Sequence, residues 1–190
     1  MTRREFSLFQ TGSLKPELSE KTVVPRSSAI DAVLDANQRY APDYDPAAVS
    51  PRPRRRLAVV TCMDTRLSYR AMGLVPGDAH IIRNAGGIVT ADAVRSLLVS
   101  KYLLETREIM IVNHTDCGLM KVSEADLHRL IEDEAGVPAN TPVTFHAFSD
   151  VAENVRQQMR TLRAHNWIGD SVIRGFVYDV ADGHLREVAL

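Results

Sequence analysis

The sequence predicts an α/β fold: a mainly parallel β-sheet flanked by helices, preceded by an N-terminal arm. Three observations point to it. The short apolar runs Leu57-Ala58-Val59-Val60 and Ile109-Met110-Ile111-Val112 are uninterrupted, as in parallel strands covered on both faces. Segments of helical period lie between such runs, so strand and helix alternate along the chain. The length of 190 residues suits one domain with a substantial core and a surplus at one end.

Residues 1–26 mix charges with Gly12, Pro16 and Pro25 and sustain no period, which makes them the arm. Residues 27–190 are expected to form a single α/β domain. It starts with a helix capped at Ser27-Ser28, in which Ile30, Val33, Leu34 and Ala36 keep helical spacing up to Tyr40 before Pro42 stops it. A connector with Pro42, Pro46, Pro51 and Pro53 leads to the first strand, 57–60, and Cys62 lies just past it. Beyond a short segment at 68–72, Pro76-Gly77-Asp78 turns the chain into a second strand, Ala79-His80-Ile81-Ile82, which runs into Arg83-Asn84-Ala85-Gly86-Gly87. Thr90 caps a helix with Val94, Leu97, Leu98, Tyr102 and Leu104 on its apolar face, predicted through about Glu105. The third strand, 109–112, ends at Asn113-His114. Ser123 and Asp126 resemble a capping box for a helix to about Glu134, stopped at Gly136-Val137-Pro138. A further helix over 149–164 places Val151, Val155, Met159 and Leu162 on one face, and 172–180 with 185–188 close as a hairpin across Ala181-Asp182-Gly183.

The net charge of -1 offers no broad attraction to nucleic acid or anionic membrane. Four arginines crowd into Arg52-Pro53-Arg54-Arg55-Arg56, but the proline inside and the strand directly after favour a solvated connector over a phosphate grip. No apolar stretch approaches the roughly 20 residues of a membrane span, and the N-terminus lacks the apolar core of a secretory signal. A cytoplasmic location with reduced thiols is therefore expected.

The chain has only two cysteines, each in a short polar motif at the end of an apolar run: Cys62-Met63-Asp64-Thr65-Arg66 and His114-Thr115-Asp116-Cys117-Gly118. In open α/β sheets function gathers beyond the carboxyl ends of the strands, where Cys62, Asn84 and His114 should emerge together. His114 and Cys117 can close on one ion, with Cys62 as the third ligand. Three protein ligands leave a tetrahedral position open, as catalytic zinc sites do. Two thiolates and an imidazole favour zinc over magnesium, calcium or manganese, so one Zn2+ per chain is expected. The thiolates cancel the formal charge of the ion, so its water should ionise above the pKa of about 7 typical of catalytic zinc, and activity should rise toward alkaline pH.

Asp64 and Arg66 lie close enough to Cys62 to turn back toward the metal. The carboxylate could aim a zinc-bound hydroxide while a bidentate arginine keeps it ionised, or it could itself occupy the fourth position, making its contact with Arg66 an off-switch. Asp116 is expected to shape its loop. His80, His128, His146, His165 and His184 are expected to be surface or structural residues.

Cys-x-Asp-x-Arg, Arg-Asn-Ala-Gly and His-x-x-Cys-Gly, in this order on successive strands, closely resemble the β-class carbonic anhydrases. The short chain and the His-Thr-Asp-Cys-Gly variant look most like the compact bacterial branch, which also contains carbonyl sulfide and carbon disulfide hydrolases. The resemblance implies that Cys62, His114 and Cys117 bind zinc and that Asp64 and Arg66 form the catalytic dyad. It implies reversible hydration of carbon dioxide to bicarbonate and a proton, by attack of zinc-bound hydroxide. It also implies a homodimer or tetramer, with the N-terminal helical region wrapped over the neighbouring subunit. One departure concerns the substrate pocket: many members carry a Gln-x-Pro glutamine eight or nine residues before the first cysteine, where this chain has Pro53-Arg54-Arg55. Gly86-Gly87-Ile88-Val89 is read either as the apolar side of that pocket or as a hinge-like turn. Three other readings compete with hydration of carbon dioxide. They are hydrolysis of carbonyl sulfide or carbon disulfide by the same hydroxide, a Cys117 nucleophile activated by His114, and a non-catalytic binding module that retains zinc for folding.

Overall fold

Five strands, β1 (Leu57–Cys62), β2 (Ala79–Asn84), β3 (Glu108–His114), β4 (Val172–Tyr178) and β5 (Leu185–Val188), form one sheet in the order β2-β1-β3-β4-β5. The first four are parallel, and β5 returns antiparallel to β4. The chain leaves β1 for β2 on one side and later places β3 on the other, so the direction of winding switches between β1 and β3. Ligands in open α/β sheets bind at such a switch point, outside the carboxyl ends of the strands. Cys62, Asn84 and His114 are the last residues of β1, β2 and β3, and Cys62 pairs in register with Asn84. The ladder thus runs to the cysteine itself, two residues beyond the apolar run.

The structure is a computed structural model that describes residues 28–48, 50–138 and 140–190. The arm expected over residues 1–26 lies outside them. Contacts divide the chain into two units between Asp45 and Pro46. The first contains helix α1 (Ala29–Tyr40). Ser28 Oγ accepts from Asp31 N at 3.1 Å while the Asp31 carboxylate accepts from Ser28 N at 3.3 Å, closing a capping box. Ile30, Val33 and Leu34 of this helix are exposed.

In the second unit, helices α2 (Ala91–Tyr102) and α4 (Val151–Arg163) cover one face of the sheet. Leu97, Val155, Met159 and Leu162 pack there on Ala58, Val60, Ile109, Ile111 and Ile173. Each large aliphatic side chain so buried contributes about 1.5–3 kcal/mol. Gly175 of β4 lets α4 sit close, since a Cβ there would lie 2.4 Å from Val155 Cγ1 and 2.8 Å from Met159 Sδ. On the opposite face Val59, Val112, Leu67 and Leu74 are buried, whereas Leu57, Met110 and Phe176 are only half-buried. The two-sided cover expected for the apolar runs is therefore incomplete within the described residues.

Helix α2 stops at Tyr102, short of the expected Glu105, and Tyr102 is exposed instead of joining the apolar face. Glu105 takes a left-handed backbone (φ 64°), and Thr106 N turns back to Ser100 O at 3.0 Å, which swings the chain into β3. Asp150 caps α4, accepting from Glu153 N at 2.8 Å. Helix α3 (Glu124–Ala135) begins at Ser123, which accepts from Asp126 N, and ends at Gly136 in the left-handed region. The arginine-rich connector is paired rather than free: Arg54 and Arg55 meet Asp78, and Arg52 and Arg56 meet Glu105.

Candidate metal centre

Strand β1 delivers Cys62, β3 delivers His114, and the loop that follows returns Cys117 to the same point. One donor atom from each lies within 4.8 Å of the others, and all three residues are buried. His114 Nδ1 lies 2.8 Å from Thr115 O. A carbonyl only accepts, so Nδ1 carries the proton and Nε2 keeps a free lone pair, the tautomer a metal ligand needs. Among the described residues Nε2 is buried without a hydrogen-bond partner. Leaving such an atom unsatisfied costs about 1–3 kcal/mol, which a cation would offset.

The thiols tell the same story. Cys62 is drawn below the usual thiol range, first by the hydrogen bond from Cys117 and, against its burial, by the His114 side chain and hydrogen bonds from the backbone N–H groups of Asp64 and Gly86. Cys117 is pushed far above the usual thiol range by that same bond to Cys62 and by burial. Two buried thiols, one favoured as the thiolate, together with an imidazole form a donor set that fits a soft divalent cation, which would let both ionise.

The floor of the site is the loop after β2. Gly87 has φ 64°, and a Cβ there would stand 2.7 Å from Asn113 Nδ2 and 2.9 Å from Cys62 N, so only glycine fits against the ligand strand. Asn84 brackets the loop, donating to Ile88 O and accepting from Ile88 N, each at 2.8 Å. Asn113 Nδ2 donates to Gly86 O at 2.7 Å, and Asn113 Oδ1 accepts from Asn154 Nδ2 at 3.1 Å. Asn154 Oδ1 accepts from Gln158 Nε2 at 3.0 Å, and Gln158 Oε1 accepts from Val89 N at 2.8 Å. A chain of amides from β3 and α4 therefore pins the loop near both ends. Asn113, Asn154 and Gln158 are additional to the residues the motifs single out. Their trace in the sequence is an amide pair at i,i+4 beside the apolar stripe of the 149–164 helix.

Asp64 is clamped by its neighbour. Its Oδ1 accepts from Arg66 N at 2.9 Å and Arg66 Nε at 3.0 Å, and its Oδ2 accepts from Arg66 Nη2 at 2.8 Å. The Arg66 guanidinium holds the carboxyl well below the usual carboxylate range, so it stays ionised through neutral and alkaline pH. The same Oδ2 lies 3.8 Å from His114 Nε2, which puts the clamped carboxylate at the edge of the donor cluster. Arg83 supports this turn, donating to Cys62 O at 3.0 Å and Asp64 O at 2.5 Å. Asp116, expected to shape its loop, does take a left-handed backbone (φ 58°), but its carboxylate faces Arg66 and Lys121. Other histidines stand apart: His80 bonds Ser100 and Pro51 O, His128 meets Phe145 edge to face, and His165 accepts from Trp167 N.

A switch-point cluster of two cysteines and one histidine, with an arginine-clamped carboxylate beside it, defines an α/β protein with a donor set that could hold a metal ion. The chain belongs to the β-carbonic anhydrase family of enzymes: the family model described as carbonic anhydrase matches residues 57–185. Beta-carbonic anhydrase 1 of Mycobacterium tuberculosis is 42% identical over 161 residues, covering 83% of this chain and 96% of the relative. The carbon disulfide hydrolase of Acidithiobacillus thiooxidans is 36% identical over 153 residues, covering 70% of this chain and 76% of that one. Among solved structures, the carbonic anhydrase of Streptococcus mutans superposes with a TM-score of 0.78 at 41% identity, covering 85% of this chain and 98% of its own.

Proposed function

We propose that this protein catalyses the zinc-dependent, reversible hydration of carbon dioxide to bicarbonate and a proton, with Cys62, His114 and Cys117 holding one Zn2+ per chain and Asp64 and Arg66 as the catalytic dyad. The observation that carries the reading is the Asp64 carboxylate, fixed by Arg66 and standing 3.8 Å from His114 Nε2, a buried nitrogen with no hydrogen-bond partner among the described residues. Bound zinc supplies Lewis acidity, lowering the pKa of the water it holds. The Cys62 and Cys117 thiolates offset the charge of the ion and keep that ionisation above a pKa of about 7. Asp64 can only accept a hydrogen bond, so it orients the attacking oxygen and directs its lone pair at the carbon of the substrate. Arg66 keeps Asp64 ionised and in place. The loop Gly86–Val89, buried at all four positions, forms in this reading the apolar side of the substrate pocket.

Residues 27–190 act in this reading as one catalytic domain, with no nucleic-acid or membrane partner. We assign the protein to the cytoplasm, where two free cysteines stay reduced and able to bind metal. Among the described residues no helix is long and apolar enough to cross a membrane. The functional unit is a homodimer or tetramer. Half-buried Leu57, Met110 and Phe176 line a groove of about 270 Å3 on the less covered sheet face, and α1 separately exposes Ile30, Val33 and Leu34, so both surfaces gain from a second copy. The 36% identical carbon disulfide hydrolase favours a second reading, hydrolysis of carbon disulfide or carbonyl sulfide at the same site. Stopped-flow assays of the three substrates on one zinc-replete preparation separate them: fast hydration of carbon dioxide supports the first reading. Negligible hydration beside rapid sulfide release would replace it with the second.

A further inference from the structure

Arg66 is held on two edges. Asp64 takes Nε and one proton of Nη2, while Asp116 takes two donors on the other edge: its Oδ2 accepts from Nη1 at 2.8 Å and its carbonyl from Nη2 at 3.1 Å. The two carboxylates use different donors and do not compete. The second oxygen of Asp116 is itself engaged, with Lys121 Nζ 2.5 Å from Oδ1. The four side chains form a line of alternating charge, Asp64, Arg66, Asp116, Lys121, running outward from the donor cluster. The left-handed backbone at Asp116 turns both its carbonyl and its carboxylate toward the same guanidinium, and most residues adopt that conformation at a cost. Asp116 also lies between His114 and Cys117, so the line ties the dyad to the loop that carries two of the three candidate ligands.

We propose that Asp116, braced by Lys121, is a positioning residue for the reaction: it fixes the outer edge of the Arg66 guanidinium so that the inner edge presents a rigid fork to Asp64. This rests on the carbon dioxide reading given above. An arginine held by one carboxylate alone can pivot about its long side chain, and Asp64 pivots with it. A second anchor on the opposite edge removes that freedom, and small misplacements of an orienting group are costly in rate. The Asp116 pairs are about half exposed, so they add little to global stability, and this separates positioning from folding.

The test compares the native chain with Asp116→Asn, which keeps the carbonyl and tolerates the left-handed backbone, and with Lys121→Met. Asp116→Asn is also made in an Asp64→Asn background. Expected are unchanged thermal unfolding and one zinc per chain in Asp116→Asn, kcat lowered roughly 10-fold with little change in KM, and a smaller loss in Lys121→Met. In the Asp64→Asn background the Asp116 substitution should have no further effect. The Arg66 Nε–H signal in 15N spectra should exchange slowly with water in the native chain and fast in Asp116→Asn. An unchanged Arg66 signal, or an equal fold-loss with and without Asp64, would overturn the proposal. Lack of hydration by the zinc-loaded native chain would instead overturn the carbon dioxide reading, while the Arg66 signal still decides the role of Asp116.

Discussion

Asp64 stands two residues away from the arginine that clamps it and 3.8 Å from the histidine nitrogen that should bind metal, so its removal separates catalysis from metal retention. We expect Asp64→Ala to keep one zinc per chain by metal analysis while hydration falls roughly 10–100-fold. Because Arg66 depresses the Asp64 pKa, that carboxylate is already ionised at neutral pH, and the alkaline rise in rate should persist, at lower amplitude, in the variant. Gly87 is the other exacting residue. Gly87→Ala would add both a left-handed strain and a methyl group 2.9 Å from Cys62 N, and loss of zinc affinity together with a lower Tm is the expected result. The Cys62, His114 and Cys117 cluster and the Asp64–Arg66 pair were legible in the sequence because each motif keeps its polar residues within five positions. The Asp116 to Arg66 bond spans 50 positions, and the Asn113 to Asn154 bond spans 41, so neither leaves a local pattern to find.

At the scale of elements, helix α4 seats against β4 only because Gly175 has no side chain. Gly175→Ala would place a Cβ 2.4 Å from Val155 Cγ1, and we expect about 1–3 kcal/mol of destabilisation by urea unfolding. The turn between β4 and β5 should be acid-labile. Asp182 is held at about 2, first by Arg186 and then by the His184 N–H. Its folded pKa lies below the unfolded value, so its contribution is full above a pH of about 4 and is lost as pH falls through about 2. Amide exchange in the hairpin that did not accelerate over this window would contradict that account. Strands and caps follow the sequence closely, since apolar runs and Ser or Thr caps are local signals. The overrun predicted for α2 arises because Leu103 and Leu104 continue the helical composition, while the left-handed Glu105 that ends the turn is a residue type that rarely adopts that conformation.

For the whole molecule, parallel topology brings three strand ends to one switch point, and that convergence was legible because Cys62, Asn84 and His114 each follow an apolar run. The half-covered sheet face was not, since an apolar strand looks the same whether a helix or a second subunit covers it. If a second copy supplies the cover, replacing Met110 and Phe176 with serine should shift the assembly toward monomer in sedimentation velocity. An unchanged sedimentation coefficient would place the subunit contact elsewhere. The central claim, that a single zinc held by Cys62, His114 and Cys117 drives hydration of carbon dioxide, is tested most directly by titrating the metal-free protein with zinc and following carbon dioxide hydration by stopped flow across pH. The predicted result is a rate that climbs linearly to one equivalent per chain, stops there, and increases from neutral to alkaline pH. A fully zinc-loaded protein that hydrates no carbon dioxide at alkaline pH would contradict the claim.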